Sequence, residues 1–233
     1  MSYLCRWNSP SLNLEEIKAL IEKEVRLEWR QRYALNGMLL YVVSTVVICY
    51  MSFNLRQNQL NAATWNALFW IILLFTSISA IAKSFVQERY GRFIYYYTLA
   101  SPQSIILSKI LYNAGLMLIL SAIGFGFYAL VMGNPVEDGW LFLGNMLLGA
   151  IGFSTTLTMV AGIASKAPNN GMLMAVLSFP VILPMLLMLI KISKNALDGL
   201  DRSASMDEIV TLLAINAIVG VLSYILFPYL WRS

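Results

Sequence analysis

ILYNAGLMLILSAIGFGFYALVM, residues Ile110–Met132, holds no Lys, Arg, Asp or Glu. In an α-helix, rising about 1.5 Å per residue, roughly 20 residues cross the ~30 Å hydrocarbon layer of a bilayer. Five further stretches read the same way: Ala34–Phe53, Trp65–Ala82, Trp140–Ala164, Met172–Ile190 and Ile209–Trp231. Only helices and closed barrels satisfy their backbone polar groups in lipid, and these stretches have helical length. The sequence therefore predicts an all-α integral membrane protein with six transmembrane helices.

Composition agrees. Of 233 residues, 59% are hydrophobic and 12% charged, and the mean hydropathy is +0.69. A soluble domain carries about twice that share of charge. The net charge of +4 comes from residues flanking the spans, a pattern that points away from nucleic acid. Residues 1–33 are charged and lack a short apolar core of the signal-peptide kind, so the first span is expected to act as an uncleaved anchor.

Lys and Arg favour the cytoplasmic side of short loops. Arg6, Lys18, Lys23, Arg26, Arg30, Arg32, Lys83, Arg89, Arg92, Lys109, Lys166 and Arg232 fall on one side. Arg56, Lys191, Lys194 and Arg202 fall on the other. Both termini are expected in the cytoplasm, with Glu137–Asp138 and the loop 191–208 facing outward. Three parts result: a cytoplasmic segment 1–33, a six-helix domain 34–231 with a cytoplasmic loop 83–109, and a tail 232–233.

Within residues 1–33, NLEEIKALIEKEVRLEWRQRY starts with Asn13 as N-cap and Glu16 completing a capping box. Leu14, Ile17, Leu20, Ile21 and Val25 make an apolar stripe at helical spacing. Such a helix lies in the membrane interface or docks on protein. In the loop 83–109, Glu88, Arg89, Gly91 and Arg92 precede an aromatic run, Phe93 to Tyr97, and Pro102 stops one helix before Ser104 starts the next. The tyrosines serve as an interfacial belt or as part of a docking element.

Inside the spans the polar residues are few. Asn113, Asn145 and Asn216 are expected to hydrogen-bond neighbouring helices. Small residues crowd the fourth span, among them Gly149, Ala150, Gly152, Ser154, Thr158 and Gly162. Small faces let helices approach closely, either within the bundle or across a dimer. Pro180 and Pro184 are expected to kink the fifth span, as a fixed bend or a hinge.

What is missing narrows the chemistry. Histidine is absent, and Cys5 and Cys49 are far apart in sequence, so no metal, haem-attachment or thiol–disulfide motif is indicated. Ion-coupled transporters use charged groups inside the membrane, where each costs about 2.5–3.5 kcal/mol to insert. No G-x-x-x-x-G-K-[ST] phosphate loop is present either. The chain is read as a non-enzyme, with any driving energy arriving through a partner on the cytoplasmic face.

The run ERYGRFIYYYTLASPQSIILSKIL, residues 88–111, resembles the cytoplasmic segment of ABC-2-type permeases. With GIASKAPNNGMLMAVLSFPVILPMLL in the second half, the chain resembles the CcmB family of cytochrome c maturation permeases over residues 15–231. Gly91 is followed by Arg92, Phe93 and Ile94, without the acid that many members carry there. The resemblance implies an ABC-2-type architecture in a bacterial inner membrane and a homodimer. It implies an ATPase subunit like CcmA, membrane subunits like CcmC and CcmD, and a haem chaperone like CcmE. ATP would bind the ATPase, haem the associated subunits, and this chain no cofactor. Hydrolysis would release the haem-loaded chaperone at the outer face, an activity historically described as haem export. Glu88, Arg89, Gly91, Arg92 and Pro102 would dock the ATPase, and Gly149, Gly152, Pro180 and Pro184 would pack or hinge the helices. Export of a lipid, glycan or drug, or a scaffold without transport, stands as the alternative.

Overall fold

A computed structural model of the protein describes residues 14–30, 32–54, 61–86, 101–165 and 170–232. All of the regular structure among these residues is helical. In chain order the elements are α1 (Leu14–Arg30), α2 (Arg32–Asn54), α3 (Ala62–Val86), α4 (Pro102–Met132), α5 (Gly139–Ala164), α6 (Asn170–Leu197), a 3-10 turn (Arg202–Ser205) and α7 (Met206–Arg232). Six of them, α2 to α7, are long and apolar enough to cross a membrane. They run up and down, so α1 and the start of α2 share one end of the bundle with the starts of α4 and α6. We call this the terminal face. The ends of α2, α4 and α6 lie at the opposite face.

Burial falls on stripes one turn apart, as lipid solvation of the other side requires. On α2, Met38, Val42 and Val46 are buried, while Leu40, Val47, Ile48 and Met51 are exposed. On α4 the buried stripe is Ile106, Lys109, Asn113, Met117, Leu120, Gly124 and Tyr128. The bundle is built around α5. Of the apolar spans, 72% of α5 and 61% of α3 are buried, against 17% of α2 and 22% of α7. Ala150, Ser154, Thr158 and Gly162 are all buried inside the chain, which leaves this small-residue stripe unavailable as a dimer surface.

Several helices outrun the apolar stretches that announce them. α4 begins at Pro102, eight residues before Ile110, and at 31 residues reaches about 46 Å. The helix expected to start at Ser104 starts at Pro102. Pro102 occupies the first turn, where its missing N–H is not needed. Ser101 is the N-cap, and its side chain accepts from the Ser104 N–H at 3.2 Å. α6 continues past Ile190 to Leu197, taking in Lys191 and Lys194. The loop 191–208 is thus the end of α6, a turn at Gly199 (φ 62°), the 3-10 turn and the start of α7.

Pro180 and Pro184 both lie inside an unbroken α6 and on its exposed side. The neighbours that enter the core are Ile182, Met185 and Leu189. Near the opposite face, Trp65, Phe69, Tyr128, Phe125 and Phe142 form one aromatic cluster, with Trp65–Tyr128 and Phe125–Phe142 ring centroids 4.8 and 5.0 Å apart.

Candidate functional site

At the terminal face, α1 packs on the first turns of α4 and more lightly on α2. Ile17 is its buried apolar anchor. Beside it lies a charge pair: Lys109 Nζ is 3.5 Å from Glu24 Oε1, and the two side chains are 2% and 11% exposed. Lys23 also reaches Glu24, at 2.9 Å. One α1 turn on, Glu28 hydrogen-bonds the hydroxyl of Tyr112, three residues after Lys109 on α4. Burial pushes the Glu24 carboxyl upward, but Lys109 and Lys23 outweigh it, and its pKa lies below the ordinary value. Glu24 is therefore a carboxylate at neutral pH, and Lys109 faces a full negative charge.

This pair corrects the sequence reading in one respect. The apolar stretches carry no charge, yet α4 does, because Lys109 sits on the buried stripe of a helix that starts earlier than its apolar part. The stripe on α1 also divides. Ile17 faces α4, whereas Leu14, Val25 and Trp29 are exposed along an adjacent strip. The helix docks on protein with one side and offers apolar surface with the next.

Of the expected docking residues, Pro102 lies at the α4 N-terminus, about two turns from Lys109. Glu88, Arg89, Gly91 and Arg92 lie outside the described residues, as do Asn13 and the Tyr95–Tyr97 run. The segment expected as the loop 83–109 is helical at both described ends, to Val86 and from Pro102, and Ser101 and Pro102 open a helix that spans the whole bundle.

The interior is held by uncharged hydrogen bonds between helices. Asn113 Nδ2 donates to Thr158 Oγ1 at 2.9 Å, and Ser154 Oγ to the Ile110 carbonyl at 2.7 Å, tying α4 to α5. Asn145 Nδ2 donates to the Leu189 carbonyl at 2.8 Å and Ser193 Oγ at 2.7 Å, tying α5 to α6. Asn216 Nδ2 donates to the Leu148 carbonyl at 3.2 Å. The sequence reading overlooked a fourth amide, Asn66, which donates to the Ile190 carbonyl at 2.8 Å. It stands at the mouth of its span beside Trp65, where a polar residue draws no notice. Such bonds average about 0.6 kcal/mol each in membrane proteins, so they set geometry more than they add stability.

Gly149 and Gly152 sit at helix crossings. A Cβ at 149 would lie 2.8 Å from the Trp70 ring, and one at 152 would lie 2.5 Å from Met185 Sδ and 2.6 Å from Asn216 Oδ1. Trp70 is fixed there by its own donation to Ser193 Oγ at 2.7 Å. Both crossings are packed tight, which favours movement of α3, α5, α6 and α7 as a block.

The opposite face is closed by ion pairs. Asp138 accepts from Arg202 at 2.7 and 3.0 Å and from the Trp140 and Leu141 N–H groups, both at 3.1 Å, capping α5. The Arg202 hydrogen bond and these N–H groups hold the Asp138 pKa down at about 2. Lys191 pairs with Glu208. Between them lies a groove of about 360 Å³ lined by Trp140, Leu141, Gly144, Asn145, Leu148, Ile192, Arg202 and Ile209. No cluster of metal-ligating side chains exists among the described residues.

A profile of the CcmB protein family matches residues 15–228. A comparison with curated proteins found no match.

Proposed function

The chain belongs to the CcmB family, and from that premise we propose how it works within a cytochrome c maturation ABC system. It is the permease-like subunit that receives an ATPase stroke at the terminal face and delivers it to the opposite face. There the stroke frees a haem-loaded chaperone. The terminal face is cytoplasmic in this reading, as the distribution of Lys and Arg favours. A CcmA-like ATPase docks on Glu88, Arg89, Gly91, Arg92 and Pro102, and CcmC-like and CcmD-like subunits carry the haem chemistry. Two copies of the chain pair to present two ATPase seats.

The observation that supports this reading most is the continuity of α4. Residue 101 caps a helix that runs unbroken from Pro102 to Met132, so displacement of the preceding loop acts on the end of a rod crossing the bundle. A rigid element with two arrangements is what long-range coupling requires. The membrane helices supply no substitute for an external drive. Among the described residues their buried charges, Lys109 at the terminal end and Glu208 at the opposite end, are paired, and their middle is held by amides and hydroxyls. Leu14, Val25 and Trp29 of α1 rest in the lipid interface.

The test is co-purification with the ATPase subunit. Arg89→Glu combined with Gly91→Pro is expected to abolish it while the bundle still extracts as a folded protein. Co-purification at the unaltered level would count against docking at this segment.

A further inference from the structure

We propose that Glu24 and Lys109 are positioning residues that set the register of α1 on α4, making the two helices one platform through which the ATPase stroke enters the bundle. The inference rests on the docking reading above and extends it to residues outside the docking segment.

The geometry carries it. Lys109 is 2% exposed and Glu24 11%, whereas the pairs Arg26–Glu22, Lys191–Glu208 and Arg202–Asp138 each leave one partner largely exposed. A buried pair of opposite charges is a poor source of stability, because desolvation consumes most of the attraction. Its attested use is to fix one arrangement among several that apolar packing alone would tolerate. α1 presents such a choice. Ile17 is its only buried apolar side chain, and Leu20, Ile21 and Leu27 are half-buried. A helix held by so little apolar area can slide by a turn along α4. Glu24 on Lys109, with Glu28 on Tyr112 one turn further, opposes sliding: one turn in one direction sets Leu20 against Lys109, and one turn in the other sets Glu28 there and takes it from Tyr112.

The placement assigns the consequence. Lys109 lies two turns inside α4 from Pro102, the first residue of that helix. α1 ends at Arg30 and α2 begins at Arg32. A push on α4 is therefore shared with α1 and α2 only while the register holds. When α1 slides, the stroke is spent at the terminal face.

The experiment uses the full chain purified with its ATPase subunit and reconstituted in vesicles. ATP hydrolysis and chaperone release are measured together and expressed as release per ATP. Three chains are compared: unaltered, Glu24→Leu with Lys109→Met, and the exchange Glu24→Lys with Lys109→Glu. The apolar pair is expected to keep its melting temperature, ATPase co-purification and hydrolysis. Its release per ATP should fall about tenfold, within the range expected when one member of a coupled network is freed. The exchanged pair is expected to recover most of the loss. Unchanged release per ATP in the apolar pair would overturn the assignment, and so would an exchanged pair as poor as the apolar one. Failure of the unaltered chain to bind the ATPase would overturn the docking reading itself, an outcome visible before any variant is made.

Discussion

At the scale of single residues, Lys109 is the most consequential side chain of the terminal face. Truncating it removes the more deeply buried of the two charges that compensate Glu24 and leaves only Lys23 to do so. Lys109→Ala is therefore expected to lower thermal stability in detergent far more than removal of both charges together. Equal losses in the two variants would show that the pair is not buried as described. Gly149 is the second such position. Gly149→Ala forces a Cβ against the Trp70 ring and should cost about 1–3 kcal/mol by overpacking. Gly144 has open space around it, so Gly144→Ala on the same helix should be neutral or better by the same melting measurement. Asp138 gives a pH signature. Its pKa is about 2 in the folded chain, below the 3.8 of an ordinary aspartate. Its contribution is thus complete above about pH 4 and is lost as pH falls through about 2. Amide exchange at Trp140 and Leu141, corrected for intrinsic rates, should stay protected down to about pH 3 and open below it. In Asp138→Ala, which removes the acceptor for both N–H groups, the protection should already be weak at pH 7. The small residues of α5 were legible as packing residues, because a small face in lipid has few other uses. The partner of Lys109 was not legible, since no local pattern links a residue on an interfacial helix to one 85 positions later.

At the scale of elements, the apolar stretches located all six membrane helices but not their ends. Hydropathy marks the part of a helix that lipid solvates, and a helix that continues into the interface or against another helix turns amphipathic there. α4 shows this at Pro102–Lys109 and α6 at Lys191–Leu197. The local signal at Ser101-Pro102 was also ambiguous. Proline ends one helix or opens the next, and only the Ser101 cap decides for opening. Ser101→Ala should cost about 1 kcal/mol and fray the first turn of α4, read as faster amide exchange over Ser104 to Ile106 with the rest of α4 unchanged. For α1, periodicity gave the helix and its stripe, but not that the stripe is divided between protein and open surface. That division depends on which neighbour arrives, and the neighbour is set by the fold of α4.

At the scale of the whole molecule, the fold class, the number of spans and the family follow from sequence, because bilayer thickness imposes a length and an apolar composition on every crossing. The functional site is only partly legible. Its docking residues are named by resemblance, and four of the five lie outside the described residues. The described part of the same face supplies the α1–α4 platform that sequence did not reveal. The account joins these in one mechanical claim. In the proposed mechanism, a bundle whose described middle is free of charge would take its drive from an ATPase at the terminal face and pass it along α4 past a packed α3–α5–α6–α7 block. The most direct measurement is release of haem-loaded chaperone from vesicles containing the reconstituted chain and its membrane partners, with the ATPase subunit and ATP each added or withheld. The account predicts release only when both are present, and none with a non-hydrolysable nucleotide. Release at the full rate from vesicles that lack the ATPase subunit would contradict it.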